Sequence, residues 1–206
     1  MQIWNKSTSF IMAMLFFASC SFKKKACLNL VPFLFILPVF KAYALPLCPV
    51  DHTEIWHECF GSYLYDGGEM YSGEWLENLF HGEGVFFYQN GDRYIGDFQK
   101  DIAHGMGTYS YKNGDVYVGE WIDGKRHGKG SYAHKVTELE SDLYVGDFKE
   151  DKKDGVGLYT FTDGVRYYGL FRNDKMHGKG IFLYLDGKST EVECTEGTCK
   201  ESGVKE

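Results

Sequence analysis

The sequence predicts an all-β protein, an elongated single-sheet antiparallel meander of short hairpin repeats behind an apolar N-terminal segment. Three observations carry that prediction. The 206 residues include 25 glycines, 15 tyrosines and 16 phenylalanines but only 4 prolines. A 23-residue period runs from Tyr71 to Ser189, the self-similarity that marks stacked repeats. Inside each period aromatic residues recur two apart, which places them on one face of a strand. With 44% hydrophobic and 25% charged residues the composition is ordinary for a globular chain, so wholesale disorder, collagen and proline-rich linkers are excluded.

Residues 1–44 come first, with five lysines (Lys6, Lys23, Lys24, Lys25, Lys41) and no acidic side chain. The lysine cluster, the apolar run Leu28 to Phe40 and the small-x-small triplet Ala42-Tyr43-Ala44 follow the order of a secretory signal peptide cleaved after Ala44. The cluster lies more than twenty residues from Met1, and initiation at Met12 or Met14 gives a more usual length. An uncleaved anchor over Ala26 to Leu47 is the alternative, since about 20 apolar residues cross a bilayer core. A third option is lipidation, because Leu15 to Cys20 resembles a bacterial lipoprotein site.

Beyond residue 44 the charge balance changes. Of the 22 basic side chains, 17 remain against all 29 acidic ones, a formal charge of -12. Such a body repels polyanions, which argues against nucleic acid as a partner. Cys48, Cys59, Cys194 and Cys199 remain as two close pairs flanking the repeats. They read as Cys48–Cys59 and Cys194–Cys199 disulfides in an oxidising compartment. Zinc is disfavoured, since ten and four residues separate the paired cysteines where zinc sites usually have two. The expected location is therefore the periplasm, the envelope or the cell exterior.

The five repeats begin at Tyr71, Tyr94, Tyr117, Tyr144 and Tyr167, and the third carries a four-residue insertion around Lys135 to Asp142. A half copy over Gly61 to Met70 precedes them. Each repeat opens on an aromatic–x–Gly–x–aromatic strand: Tyr71, Gly73, Trp75; Tyr94, Gly96, Phe98; Tyr117, Gly119, Trp121; Tyr144, Gly146, Phe148; Tyr167, Gly169, Phe171. A His-Gly-x-Gly segment follows at His81-Gly82-x-Gly84, His104, His127 and His177, with Asp154 in its place in the fourth copy. Its glycines are expected to form a tight turn shaped by the imidazole. A second strand then carries pairs such as Phe86/Tyr88 and ends at Asn90-Gly91, Asn113-Gly114, Asp163-Gly164 or Asp186-Gly187, dipeptides suited to type I′ hairpin turns. Two strands per repeat give about ten. The aromatic stripe becomes the core, with Cys48–Phe60 and Thr190–Cys199 as end covers.

These residues, Y-x-G-E-W followed by H-G-x-G, resemble the MORN repeat (membrane occupation and recognition nexus) across 119 of 206 residues. The resemblance implies a non-enzymatic array that scaffolds other molecules, sometimes self-associating and sometimes linked to phospholipids. The expected organisation is a signal peptide or membrane anchor over 1–44, a cap with a half repeat over 45–70, five MORN repeats over 71–189, and a C-terminal cap and tail over 190–206.

No constellation in the sequence meets the needs of catalysis. Equivalent residues of successive two-strand repeats lie about 9.5 Å apart, too far for the histidines to share a metal or for the acidic series Glu74, Asp97, Glu120 and Asp147 to act as paired carboxylates. The acids read as a solvated face. Phosphate loops and nucleophile signatures are absent. The expectation is no catalytic, cofactor or metal residue and no cofactor, with a protein partner engaged as a scaffold. Phospholipid binding, opposed by the acidic body, and a glycan or cell-wall module are the alternatives.

Overall fold

The computed structural model describes residues 45–137 and 140–202. The signal, lipidation and start-site readings, and the anchor reading up to Ala44, concern residues outside these. Thirteen strands form one antiparallel sheet in strict sequence order. They are β1 (Cys59–Leu64), β2 (Met70–Leu76), β3 (Leu79–Phe87), β4 (Arg93–Gln99), β5 (Ile102–Ser110), β6 (Val116–Ile122), β7 (Lys125–Lys135), β8 (Ser141–Lys149), β9 (Lys152–Thr160), β10 (Arg166–Arg172), β11 (Lys175–Leu183), β12 (Ser189–Thr195) and β13 (Thr198–Glu201). The five repeats supply β2 to β11. The sheet is open, with β1 and β13 as its edges.

The core is one row of rings. Tyr71, Tyr94, Tyr117, Tyr144 and Tyr167 are fully buried, flanked by Trp75, Phe98, Trp121, Phe148 and Phe171. Each tyrosine stands edge-on to the aromatic four residues later, and each of the first four also to its counterpart in the next repeat, as Tyr117 does to Trp121 at 5.2 Å and Phe148 at 5.0 Å. Such pairs add ~0.5–1.5 kcal/mol each to the burial itself. The tyrosine ring lies flat over its own strand and the next, which is why glycine is required beneath it. A Cβ on Gly73 would come within 2.6 Å of Gly84 Cα and of the Tyr71 ring. The buried hydroxyls are satisfied by carbonyls three residues on: Tyr71 Oη donates to Glu74 O at 2.9 Å and Tyr144 Oη to Asp147 O at 2.9 Å.

Two turn expectations are corrected. His-Gly-x-Gly is not a turn, for His81, His104, His127 and His177 sit within β3, β5, β7 and β11 and Asp154 within β9. The segment is a bulge. On the β2 side Gly73 pairs with Gly84 but Glu74 pairs with His81, so two residues of β3 lie opposite a single step of β2. Gly82 absorbs the bulge at φ +53°, a conformation that favours glycine.

The second correction concerns Asn90-Gly91 and its equivalents. At these loops only the glycine has positive φ. Gly91 N–H donates to Tyr88 O at 3.0 Å and Tyr88 N–H to Asp92 O at 3.0 Å, the pattern of a type I turn closed by a glycine bulge. Asn90 acts through its side chain, accepting the Asp92 N–H at 2.9 Å. The paired positive-φ turns lie instead at Glu77-Asn78, Lys100-Asp101, Asp123-Gly124, Glu150-Asp151, Asn173-Asp174 and Glu196-Gly197. Non-glycine residues hold this conformation because the second one docks on the preceding repeat. Phe80 N–H donates to Asp101 Oδ1 at 2.7 Å and Asp101 N–H to Phe80 O at 3.1 Å.

Both ends continue the pattern with different residues. In β12, Thr190, Val192 and Cys194 take the positions of tyrosine, glycine and the following aromatic, and Cys194 lies opposite Cys199 of β13. Without a tyrosine ring to cover it, the glycine position takes valine. Disulfides Cys48–Cys59 and Cys194–Cys199 close the two ends. At the first, Cys48 N–H donates to Phe60 O at 3.0 Å and Phe60 N–H to Pro46 O at 2.8 Å, so part of the β1 edge is already paired, which limits edge-to-edge association.

Candidate binding surfaces

Strand alternation gives the sheet two unlike faces. The repeat residues Tyr71, Gly73, Trp75 and their equivalents all project to the aromatic face. The residues between them define the other. Register sets Ser72 opposite Val85, Val85 opposite Ile95 and Ile95 opposite Thr108. The row continues through Val118, Ser131, Val145, Leu158 and Tyr168 to Ile181. On the far side of the glycines a second row pairs Glu83 with Asp97, Met106 with Glu120, Lys129 with Asp147, Val156 with Leu170 and Lys179 with Glu193.

Between the rows the glycine backbone forms the floor of a groove. Three cavities of about 520, 480 and 500 Å³ lie along it, the first two sharing Met106 and the last two Tyr168. Its walls are apolar and open. Met106 is 55% exposed, Val145 47% and Tyr168 52%. Charges of both signs border them, including the Lys129–Asp147 ion pair. An exposed, mostly apolar strip of this kind, interrupted at Thr108 and Ser131, is a candidate interaction surface.

Three members of the acidic series, Asp97, Glu120 and Asp147, prove to be bulge clamps, correcting their reading as a solvated face. Asp97 Oδ2 accepts the Met106 N–H at 2.8 Å, Glu120 Oε1 the Lys129 N–H at 2.8 Å, and Asp147 Oδ2 the Val156 N–H at 2.9 Å. The fifth repeat has Leu170 there instead.

A second carboxylate series ties neighbouring repeats together. Asp92 accepts from Tyr109 Oη at 2.9 Å and Lys112 N–H at 2.8 Å. Asp115 does the same with Tyr132 at 2.6 Å and Lys135 N–H at 2.9 Å, and Asp142 with Tyr159 at 2.8 Å and Thr162 N–H at 2.9 Å. In the last repeat both partners turn apolar together, as Val165 and Phe182. Burial alone would raise the Asp115 carboxyl, but hydrogen bonds from Tyr132, the Lys135 backbone, His134 and Asn113 outweigh it and hold the group down at about 2.

On the aromatic face the residue before His-Gly-x-Gly roofs the rings: Phe80, Ala103, Arg126, Lys153 and Met176. Phe80 stacks on Tyr71 at 3.9 Å. Arg126 lies 5.7 Å from the Tyr117 ring centroid and 5.3 Å from Tyr132. Lys153 Nζ lies 5.2 Å from Tyr144 and 4.7 Å from Tyr159, and burial lowers its pKa. Sequence reasoning missed these roofing cations and the groove rows. The groove was signalled by the apolar residue before the repeat glycine in four of the five repeats, as in Tyr144-Val145-Gly146. Among the described residues no three His, Cys, Asp or Glu side chains converge as metal ligands.

An open sheet of aromatic–glycine hairpins, each clamped to the next and presenting a glycine-floored groove, defines a β-repeat binding module. The chain belongs to the MORN repeat family, whose model matches residues 71–93, 94–116, 117–134, 144–166 and 167–189. MORN repeats are consistent with a protein- or membrane-binding role. No curated protein matches the chain. Among solved structures, it is similar to the SAS-4 (dCPAP) TCP domain of Drosophila melanogaster, in complex with a proline-rich motif of Ana2 (dSTIL). That similarity covers 62% of this chain and 67% of that one, at 15% identity and a TM-score of 0.40.

Proposed function

We propose that the protein is a non-enzymatic, exported scaffold that holds a protein partner in the groove between its two residue rows. The observation that carries this reading is the half-exposed, mostly apolar row from Val85 to Ile181, which the sheet leaves uncovered while burying the tyrosine row of its other face. The groove suits a partner segment with an apolar face flanked by charges of both signs. Export is supported by the two disulfides, which persist in oxidising compartments, and places the partner in the envelope or outside the cell. The acidic body of the chain disfavours an anionic membrane as the bound surface.

Affinity capture from the native cell envelope tests the reading with paired variants. Met106→Glu and Val145→Glu put charge into the groove at exposed positions, and both should lose the captured partner without lowering the melting temperature. Undiminished capture by both variants, or salt-sensitive sedimentation of the protein with anionic vesicles that both variants lose, would overturn it.

A further inference from the structure

At the N-terminal end of the aromatic face, away from the groove, a cavity of about 220 Å³ is lined by His52, Glu54, Trp56, Tyr63, Tyr65, Trp75 and Asn78. One wall is the loop closed by the Cys48–Cys59 disulfide. The rings stand across one another: Trp56 meets Trp75 at 87° and 4.8 Å, Trp56 meets Tyr63 at 82° and 6.1 Å, and Tyr63 meets Tyr65 at 66° and 4.7 Å. Rings set across one another line the cavity on more than one side, unlike the single flat platform on which a sugar stacks. At this size the cavity falls below the ~300–1,000 Å³ of drug-sized sites, so it takes a small head group.

The interior repeats show what this surface accepts. Trp56 stands where Arg126 and Lys153 stand further along, since the backbone N–H of all three donates to the next turn, at Asn78 Oδ1, Asp151 Oδ1 and Asp174 Oδ1. By register Tyr63, opposite Tyr71, matches Tyr132 and Tyr159, opposite Tyr144 and Tyr167. Over those two tyrosines the chain places its own cations, Arg126 at 5.3 Å and Lys153 at 4.7 Å. At Tyr63 no lysine or arginine among the described residues takes that place; the His52 ring stands beside it, 5.5 Å from Tyr63 and 5.3 Å from Trp56. Instead Trp56 adds a further wall, and Glu54 supplies a carboxylate.

We infer that this cavity binds a quaternary ammonium group of the choline type, held by cation–π contacts from the crossed rings and by the Glu54 carboxylate. A primary ammonium needs acceptors for all three N–H donors once desolvated, and the lining offers few beyond Glu54 and Asn78, whose Oδ1 already accepts the Trp56 N–H at 2.7 Å. A quaternary ammonium donates no hydrogen bond and is the cation that aromatic cages favour. The inference does not rest on the groove, and the two fail separately.

Calorimetric titration of the purified full chain tests it, with choline chloride and its neutral carbon isostere 3,3-dimethylbutanol as probes. Choline should bind saturably at one site, and the isostere at least about fivefold more weakly, as expected when the charge contributes through the rings. Glu54→Gln, at an exposed position, should weaken choline severalfold with an unchanged melting temperature, and Tyr63→Leu, at a ring packed against the core, should weaken it severalfold in a protein that still folds. Equal binding of the two probes, no binding of choline, or choline binding untouched by both variants would overturn the inference. Phosphatidylcholine vesicles identify the source of the group. Retention on vesicles competed by free choline points to a lipid head group, and absence of retention to a soluble quaternary amine, and both uphold the pocket.

Discussion

Replacing Gly119 with alanine tests the ring-over-glycine architecture at its centre. The new Cβ would stand 2.6 Å from Gly130 Cα, 2.6 Å from the Lys129 carbonyl oxygen and 2.6 Å from Tyr117 Oη. Two of those atoms are backbone held in the sheet, so the strain cannot relax by turning a side chain. Overpacking of this kind costs ~1–3 kcal/mol. If Tyr117 shifts, its hydrogen bond to Glu120 O at 2.9 Å is lost as well, about 1 kcal/mol more. The expected destabilisation is therefore about 2–4 kcal/mol. Gly67→Ala is the control, because nothing lies within 4 Å of its added Cβ and Gly67 does not have positive φ. It should change stability by less than about 1 kcal/mol. Urea denaturation followed by tryptophan fluorescence reads both. Equal small effects from the two substitutions would refute the close packing of tyrosine on paired glycines.

Three further outcomes follow from the clamps between and within repeats. Leu170→Glu restores the carboxylate that clamps the bulge in the second, third and fourth repeats, and should stabilise by about 0.5–1.5 kcal/mol; a melt unchanged or lowered would contradict the clamp role of Asp97, Glu120 and Asp147. The folded pKa of Asp115 is depressed to about 2 from an ordinary 3.8, so its contribution is fully present above pH 4 and is lost as pH falls towards 2. The stability gap between the native chain and Asp115→Asn should accordingly narrow over that interval in acid denaturation, and a gap independent of pH would count against it. Deleting Tyr94 to Val116 removes one whole period, and the shortened protein should fold, because Asp92 then replaces Asp115 as the partner of Tyr132; circular dichroism showing loss of the sheet would contradict nearest-neighbour assembly.

The repeat, its two-strand unit and the burial of the Tyr71 series were legible in the sequence because aromatic alternation and glycine spacing both report on one face of a strand. The turns were not. Asn-Gly satisfies a type I′ turn and a type I turn with a glycine bulge alike, since both put positive φ at the glycine. The true paired positive-φ turns carry residues such as Glu150-Asp151, whose conformation is held by Arg126 one repeat earlier, a contact that no local pattern displays. His-Gly-x-Gly looked like a turn because two close glycines do, whereas here one absorbs a bulge and the other lies beneath a tyrosine ring. The end of the array was obscured for a related reason: Thr190, Val192 and Cys194 fill the repeat positions without sharing its residues. The groove rows left only a faint mark, the apolar residue before most repeat glycines, since their character comes from ten strands aligning one half-exposed side chain each.

The claim that the glycine-floored groove is the partner-binding face is tested most directly by site-specific photocrosslinking in the native envelope. A photoreactive amino acid replaces Met106 or Val145 in the groove, and Gln89 or Lys112 at the loop end of the sheet as controls. Adducts to the same partner protein should form from both groove positions and from neither loop position. Adducts confined to the loop positions, or formed equally from all four, would contradict the assignment of function to this face.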